Sequence, residues 1–135
     1  MADFNTPIIE EFRENDGKVG GYFAGLPMLL LHHIGAKSGV ERCNPLAYQR
    51  IDDNTVAIFG SKGGAPTNPD WYHNLLVHPD ARVEIGNDSF NVKARLAEGD
   101  ERRPIWEKQK KDRPAFADYE KKTEREIPVF ILSRV

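Results

Sequence analysis

The sequence predicts an α+β fold, a small barrel of about six mostly antiparallel strands with helices packed outside it. Short β-rich runs are separated by turn residues, which makes neighbouring runs antiparallel partners. The segments between them have helical patterns with starting and ending residues of their own. Since no repeat, low-complexity tract or linker divides the 135 residues, the chain is expected to form a single domain, residues 1–135.

The first half of the chain predicts one helix and three strands. Thr6 and Pro7 begin a short helix that runs through Asn15 and ends at Gly17. The pattern then changes to β-rich runs, the first two joined by a turn at 35–39. The predicted strands are 28–34, 41–51 and 55–59.

The second half predicts three helices and three further strands. A turn at 86–88 joins two β-rich runs into a hairpin, and a proline begins the last helix. The predicted helices are 69–77, 101–110 and 114–122, and the predicted strands are 81–85, 89–95 and 128–132. Six short strands in so small a chain favour closure into a barrel.

Charge and cysteine content restrict the partners and the compartment. The net charge of −2, from 19 basic and 21 acidic residues, gives no general attraction to nucleic acid or to an anionic membrane, so any anion site must be local. Cys43 is the only cysteine, which excludes an intrachain disulfide and suits a reducing cytoplasm. The first residues lack a signal-peptide pattern, and the longest largely apolar run, 22–31, is too short to span a bilayer. We expect a cytoplasmic protein without a nucleic-acid partner. Membrane association is possible but not indicated by the sequence.

A glycine-rich loop follows the third predicted strand and has the composition of a phosphate site. Gly63 and Gly64 allow backbone conformations closed to other residues and bring bare amides close to a ligand. Ser61 and Lys62 add a hydroxyl and a cation beside them. The alternative is an ordinary glycine-rich turn before a capped helix.

The residues after the loop predict the start of a helix. Asn68 is a favourable N-cap residue, and Pro69 fits the first helical position. The loop would then place an anion near a positive helix end.

Three cations are predicted to converge on this anion site. Lys37 lies in the turn after the first strand, Arg42 begins the next strand, and Lys62 lies in the glycine-rich loop. With the hydroxyls of Ser38 and Ser61 they would form a local site for a phosphorylated ligand. The alternative reading makes Lys37 and Arg42 solvated turn charges.

Other side chains offer weaker signals for chemistry. His32 and His33 are neighbours in a predicted strand, so they point to opposite faces and cannot share a metal; one is expected in the core and the other at the surface. His73 and His78 are interpreted as surface residues, and Cys43 as a buried strand thiol. No metal site, nucleotide-hydrolase P-loop or nucleophile elbow is predicted. Any redox or transfer chemistry is therefore expected to come from a cofactor.

Five segments in order resemble the deazaflavin-dependent nitroreductase family of actinobacteria, and together they cover nearly the whole chain. The segments are Gly35-Ala36-Lys37-Ser38-Gly39, Arg42-Cys43-Asn44-Pro45-Leu46, Ser61-Lys62-Gly63-Gly64-Ala65, Asn68-Pro69-Asp70-Trp71-Tyr72-His73-Asn74-Leu75 and Thr123-Glu124-Arg125-Glu126-Ile127-Pro128. The resemblance implies a split β-barrel that binds coenzyme F420 and transfers hydride from its reduced form to a quinone or a nitro compound. It does not imply which residues, if any, are catalytic.

The resemblance also implies which residues contact the cofactor. The turn and the following arginine would hold its phosphate and tail, the second strand would line the ring pocket, and the glycine-rich loop and next helix would complete the site. The implied residues are Ala36, Lys37, Ser38, Arg42, Asn44, Pro45, Leu46, Phe59, Gly60, Ser61, Lys62, Gly63, Gly64, Asp70, Trp71, Tyr72, His73 and Asn74.

The acceptor side departs from relatives that act on bulky nitroaromatic prodrugs. Such relatives carry several tyrosines in the segment aligned with 113–119, where this chain has Arg113 and Phe116 and keeps Tyr119. Ala47 stands where another tyrosine is found. We therefore expect small quinones to be better acceptors than nitroimidazoles.

Three alternatives remain at the level of the sequence. The first is an FMN-dependent oxidoreductase of the same fold, and the second is a protein that binds the cofactor without turnover. The third is a structural or interaction domain, which predicts no anion binding at the glycine-rich loop. The physiological acceptor and the oligomeric state are not predicted.

Overall fold

The structure is a computed structural model that describes residues 5–15, 27–61, 64 and 66–135, with side chains from residue 7 onward. Four helices and six strands are present in this part of the chain. The helices are α1 (Asn5–Glu14), α2 (Asp70–Val77), α3 (Gly99–Asp112) and α4 (Pro114–Lys122). The strands are β1 (Met28–Ile34), β2 (Glu41–Asp52), β3 (Thr55–Phe59), β4 (Asp80–Ile85), β5 (Asp88–Ala97) and β6 (Val129–Arg134).

The six strands form one closed barrel in the order β1-β2-β3-β6-β5-β4, and β4 pairs with β1 to close it. Every pairing between them is antiparallel. The predicted fold class, a barrel of six strands with flanking helices, is confirmed.

Strand β2 is long enough to pair with two neighbours in succession. Its first part lies against β1, with Arg42 opposite His33 and Ala47 opposite Met28. Its second part lies against β3, beginning with Tyr48 opposite Ile58. The two ends of β2 therefore belong to different regions of the barrel surface.

Alternate residues of the strands build two kinds of core. One set, contributed by strands all around the barrel, forms the interior cluster together with Trp71 and Leu75 of α2. Its fully buried strand residues include Leu29, Leu31, Ile58, Val83 and Leu132. Burying each such side chain contributes about 1.5–3 kcal/mol, so the alternating pattern fixes which face of each strand points inward.

The opposite faces of the strands are covered by helices. Phe12 of α1 packs on Met28 and Leu30. Trp106 of α3 and Phe116 of α4 pack with the outward residues of β3 and β6. This second layer explains why both faces of several strands are apolar.

Most predicted elements match the observed ones closely. The predictions 28–34, 55–59 and 114–122 coincide with β1, β3 and α4, and the others differ by one or two residues at an end. Strands β5 and β6 extend further than predicted because each pairs along its length with the other and continues the ladder. The predicted end of the first helix at Gly17 lies outside the described residues.

The predicted start of the second helix is wrong. Helix α2 begins at Asp70 with Pro69 as its N-cap residue, and no side chain caps it. The Asn68 side chain accepts a hydrogen bond from Arg125 at 2.7 Å. A long-range guanidinium contact thus occupies the oxygen that was expected to cap the helix.

Candidate functional site

The turn between β1 and β2 presents two of the predicted anion-binding side chains to solvent. The Gly35 amide donates to the carbonyl of Val40, and the Gly39 amide donates to the carbonyl of Gly35, both at 2.9 Å. A side chain at Gly35 would collide with the Ser38 hydroxyl, and Gly39 has a φ of 69°. The two glycines thereby allow a tight turn, and Lys37 and Ser38 are exposed on it.

Arg42 adds a second cation at the same end of the β1–β2 hairpin. It is exposed and lies opposite His33 in the strand register. Within the described residues, neither Arg42 nor Lys37 forms a salt bridge with a carboxylate. Exposed cations without acidic partners in this part of the chain fit both readings, the anion site and the solvated turn charges.

A buried polar network lies next to these cations. The Ala36 amide donates to Oδ1 of Asn74 at 2.8 Å, and Nδ2 of Asn74 lies 3.0 Å from Nδ1 of His33. The other nitrogen of His33, Nε2, lies 2.6 Å from Oδ1 of Asn44. Three residues implied as cofactor contacts are thus joined by a histidine that was assigned no role.

Both strand histidines are buried, which corrects the expectation of one core and one surface residue. His33 is 1% exposed and His32 is 8% exposed. They do point to opposite faces: His32 faces Glu84 and Cys43, not the asparagines. His32 is buried because side chains of the two neighbouring strands, Glu84 of β4 and Cys43 of β2, pack around its ring.

The His32 face holds a second polar cluster that attaches α1 to the barrel. Arg13 of α1 donates to Glu84 at 2.9 Å, and the same carboxylate contacts Nε2 of His32. Burial opposes ionisation of Glu84, but the hydrogen bonds from Arg13 and His32 outweigh it and hold the pKa of this carboxyl below its usual range. Burial raises the pKa of the adjacent Cys43 thiol to about 11. The half-buried Cys43 is therefore a neutral packing residue, not a nucleophile.

The other predicted region begins at the far end of the β1–β2 pairing. By register, Phe59 at the end of β3 lies level with Ala47, because Tyr48 pairs with Ile58. Ala47 is five positions along β2 from Arg42, and a strand rises about 3.4 Å per residue, so the two levels are about 17 Å apart. The glycine-rich loop therefore starts away from the exposed cations. Lys62 and Gly63 lie outside the described residues, so the convergence of the three cations stays a prediction.

Arg125 holds the two ends of the glycine-rich loop together. Its guanidinium donates to the carbonyl of Gly60 at 3.0 Å, the carbonyl of Ser61 at 2.9 Å and Oδ1 of Asn68 at 2.7 Å. Burial lowers the pKa of Arg125. Arg125 belongs to one of the five family segments, but its contacts could not be inferred from the sequence.

The loop packs closely against two neighbouring parts of the chain. A Cβ atom at Gly60 would lie 2.6 Å from Cγ of Pro128, and one at Gly64 would lie 2.9 Å from the carbonyl oxygen of Tyr119. Gly64 also has a φ of 84° and donates to the carbonyl of Ser61 at 2.9 Å. These positions need glycine, and they place the loop directly on α4, the helix of the predicted acceptor side.

Aromatic rings connect β3 to α3 and α4 beside the loop. The Phe59 ring lies 5.7 Å from that of Phe116 and 5.8 Å from that of Trp106, and Phe116 lies 5.3 Å from Tyr119. Ala47 packs against this aromatic cluster. The predicted acceptor-side residues Ala47, Phe116 and Tyr119 are therefore brought together with Phe59.

Arg113 lies between two helices, whereas two aromatic residues of α2 pack on the barrel interior. Arg113 is half-buried at the junction between α3 and α4. Trp71 is 4% exposed with its ring 5.8 Å from Phe130 in the interior cluster, so its own surface is largely taken by the core. Tyr72 is half-buried and also packs on Phe130.

Three polar residues of α2 and its end differ in exposure. Asp70 and His73 are exposed, as is expected of ligand-facing or solvated groups. His78 is half-buried, which corrects its interpretation as a surface residue; its amide donates to the carbonyl of Asn74 at 2.7 Å and ends the helix.

The donor set at the end of the β1–β2 hairpin suits an anionic ligand. Lys37, Ser38 and Arg42 offer two cations and a hydroxyl on exposed positions there. No group of three or more potential metal ligands occurs in the described ranges. None of the helices in those ranges has the length and apolar character needed to cross a membrane.

Comparisons with known proteins identify similar chains. Residues 7–134 match the profile of the F420H(2)-dependent quinone reductase family. F420H(2)-dependent quinone reductase Rv1261c of Mycobacterium tuberculosis is 35% identical over 127 residues, which cover 91% of this chain and 85% of the relative. Putative F420H(2)-dependent quinone reductase Rv3178 of the same organism is 41% identical over 117 residues, which cover 83% and 93%.

Solved structures agree with these sequence matches. A structure described as F420-H2 dependent reductase (FDR-A) has a TM-score of 0.72 and 38% identity, covering 79% of this chain and 94% of its own. A pyridoxamine 5'-phosphate oxidase-related, FMN-binding protein from Nostoc punctiforme has a TM-score of 0.54 over 100% of this chain and 82% of its own. Its identity of 12% shows a shared fold alone.

Proposed function

Because the chain belongs to the F420H(2)-dependent quinone reductase family, we propose that it transfers hydride from reduced coenzyme F420 to a quinone. The chain is an oxidoreductase with coenzyme F420 as its cofactor and a quinone as its acceptor. The observation that carries this function is the exposed group Lys37, Ser38 and Arg42 at the end of the β1–β2 hairpin, whose two cations form no salt bridge within the described residues.

The cation end suits the phosphate and tail of the coenzyme. Lys37 and Arg42 are exposed and have no acidic partner among the described residues. The Ser38 oxygen accepts a hydrogen bond from the Val40 amide, so the hydroxyl proton of Ser38 stays available for donation to a ligand. We assign these three residues, together with Ala36 and Lys62, to the phosphate and tail. A local cation pair is what a protein of net charge −2 needs to hold an anion.

The part of β2 that follows Arg42 suits the ring, and α4 suits the acceptor. We assign Asn44, Pro45 and Leu46 of β2 to the ring pocket, with residues 59–64 on one side. The residues of α2 implied as contacts, 70–74, would close the site. The acceptor would then lie between the ring and the α4 residues Phe116 and Tyr119.

The side chains at the ring end contribute position, not acid or base chemistry. When bound and reduced, the coenzyme supplies a hydride from ring carbon 5. Phe59, Phe116 and Ala47 are apolar, so they orient flat molecules by packing and exclude water from the space between donor and acceptor. Gly64 lets the loop lie against α4, which keeps the cofactor side and the acceptor side adjacent.

The proposed function is tested by calorimetry and steady-state kinetics. We expect the protein to bind coenzyme F420 more tightly than FMN, and the reduced coenzyme to be oxidised when a water-soluble naphthoquinone is added. Tight binding without quinone reduction would show a cofactor carrier, and equal or tighter binding of FMN would contradict the cofactor assignment. The alanine variant of Lys93, an exposed residue of β5, serves as the matched control for removal of a cation.

A further inference from the structure

His33 lies where four parts of the proposed cofactor site meet. It belongs to β1, its partner Asn44 to β2, its partner Asn74 to α2, and Asn74 in turn holds the backbone of Ala36 in the turn. The links measure 2.6, 3.0 and 2.8 Å. A single imidazole therefore fixes the relative positions of a strand, a helix and a turn.

The direction of every hydrogen bond in this network follows from the backbone amide of Ala36, which is its first donor. A backbone amide can only donate, so the atom of Asn74 that faces Ala36 must be the carbonyl oxygen. The amide group of Asn74 then points to Nδ1 of His33, which must accept. The ring proton is consequently on Nε2 and is donated to Oδ1 of Asn44. The network thus selects one neutral tautomer of His33 and one orientation of each asparagine.

We propose that His33 is a positioning residue for coenzyme binding: it holds Asn44 and Asn74, and through Asn74 the Ala36 amide, in the orientations that the bound coenzyme requires. The proposal rests on the proposed function, since it concerns the same site. His33 itself is 1% exposed, so it acts through its partners and not by touching the coenzyme.

Protonation of His33 would break this arrangement. A hydrogen on Nδ1 would face the amide group of Asn74, and rotation of Asn74 would turn that group against the Ala36 amide. Burial is the main cause that lowers the pKa of His33, and the nearby charges of Arg42 and His32 lower it further. The hydrogen bond with Asn44 and the charge of Asp70 act in the opposite direction. The ring is therefore neutral at neutral pH.

The sign of the pH dependence follows from this lowered pKa. The unfolded chain takes up the proton at about pH 6.5, whereas the folded chain resists it to a lower pH. The contribution of the network is fully present above about pH 6.5 and is lost as the pH falls toward the pKa of the folded state. In the folded protein the network stays intact down to this lowered pKa, so affinity for coenzyme F420 is expected to fall only as the pH passes below it.

The test compares His33→Leu, which removes both hydrogen bonds, with His33→Gln, whose amide can still accept from one asparagine and donate to the other. We expect His33→Leu to weaken coenzyme binding about tenfold or more, the size of losing buried polar partners, with kcat changed less than KM. His33→Gln should recover most of the affinity. The matched control is His32→Gln, which alters the neighbouring buried histidine on the opposite face of β1 and should leave coenzyme affinity within about twofold of wild type.

Two further measurements keep the test decisive. Hydrogen exchange of the Ala36 amide without coenzyme should be faster in His33→Leu, since Asn74 is no longer held; unchanged exchange would overturn the network. If His33→Leu does not fold, the pH series decides: wild type should lose affinity as the pH falls through the lowered pKa of His33 while His33→Gln does not, and a flat wild-type profile would overturn the proposal. A wild-type protein that binds no coenzyme F420 would overturn the proposed function as well, whereas normal binding by a folded His33→Leu overturns the role of His33 alone.

Discussion

At the scale of single residues, the exposed cations and the buried thiol have opposite characters. Lys37 and Arg42 are solvated charges at the end of a hairpin, available to a ligand. Cys43, the next residue in β2, is turned toward His32 and α1 and is kept neutral by burial. Alternation along one strand thus separates an exposed cation, proposed to bind the coenzyme, from an inert thiol by a single position.

Replacing Arg42 or Lys62 with alanine should weaken binding of coenzyme F420 by about 1–3 kcal/mol, the range for a lost charge-assisted hydrogen bond. The stability of the protein should change little for Arg42→Ala, because the side chain is exposed. Calorimetry at low and high salt measures the effect, and the loss should shrink as salt screens the charge. Lys93→Ala should bind normally. A variant that binds normally at both salt concentrations would remove that residue from the phosphate site.

The Cys43 thiol should react slowly with iodoacetamide in the folded protein at pH 8. Its pKa of about 11 leaves roughly a thousandth of the thiol ionised at that pH, and only the thiolate reacts. Unfolding in urea should increase the rate tenfold or more by restoring an ordinary cysteine pKa. Equal rates in the folded and unfolded protein would show that the thiol is neither shielded nor shifted. The ionised fraction rises with pH, so the folded-state rate should climb toward pH 11.

At the scale of elements, the shape of the glycine-rich loop depends on Arg125, which lies 57 positions beyond Asn68 in the sequence. Arg125 contacts the carbonyls at the start of the loop and the Asn68 side chain near its finish. Gly64 then seats the loop against α4. The loop is therefore held at three places before any ligand arrives, which reduces the ordering cost of binding.

Arg125→Ala should lower both the stability of the protein and its affinity for coenzyme F420. Loss of hydrogen bonds from a charged group to half-buried acceptors costs about 1.5–3 kcal/mol. Arg125→Lys should recover only part of it, because one ammonium group cannot reach all three oxygens with the same geometry. Urea unfolding and calorimetry measure the two effects.

Arg103→Ala, which removes an exposed arginine of α3, is the control for this change. Full recovery by Arg125→Lys would show that charge alone matters at this position. Loss of stability with unchanged coenzyme affinity would separate Arg125 from the cofactor site.

Local rules determine the strands, the turn at 35–39 and the places where the backbone needs glycine. These features could therefore be predicted from the sequence. Period-two alternation and turn residues are visible in the sequence, and each strand end lies within two residues of its expected place. The start of α2 could not be predicted. Whether the Asn68 side chain caps the helix or accepts a hydrogen bond from Arg125 depends on a tertiary contact. The role of His33 could not be predicted either, since its partners lie 11 and 41 positions away.

At the scale of the whole molecule, the proposed acceptor side is formed where β2, the glycine-rich loop and α4 pack together. Phe116 is 6% exposed and holds its ring edge against Phe59 and Trp106. Two of the positions that differ from nitroaromatic-reducing relatives, Ala47 and Phe116, are therefore part of a hydrophobic cluster as well as of the proposed acceptor pocket. Replacing them changes the pocket and its support together.

Small quinones should be better acceptors than bicyclic nitroimidazoles. Ala47, Arg113 and Phe116 provide no tyrosine hydroxyl to orient a nitro group, whereas a flat quinone needs mainly stacking over the ring. The double substitution Arg113→Tyr and Phe116→Tyr should raise kcat/KM for the nitroimidazole more than for the quinone. Steady-state oxidation of the reduced coenzyme measures both.

The single substitutions Arg113→Tyr and Phe116→Tyr are the controls for the double substitution. Phe116→Tyr alone should also destabilise the protein slightly, since a buried hydroxyl must find a partner within the aromatic cluster. Comparable kcat/KM for the two acceptors in the unmodified protein would show that these positions do not set the preference.

The placement of β6 determines when the barrel can first close. This strand, at 129–134, fills the gap between β3 and β5, whose pairings with it join residues up to 78 positions apart. Until β6 is in place, two hydrogen-bonding edges, one on β3 and one on β5, stay open to other chains. The barrel therefore closes only when these distant, slowly formed pairings are made, and its vulnerability to aggregation is concentrated before that step.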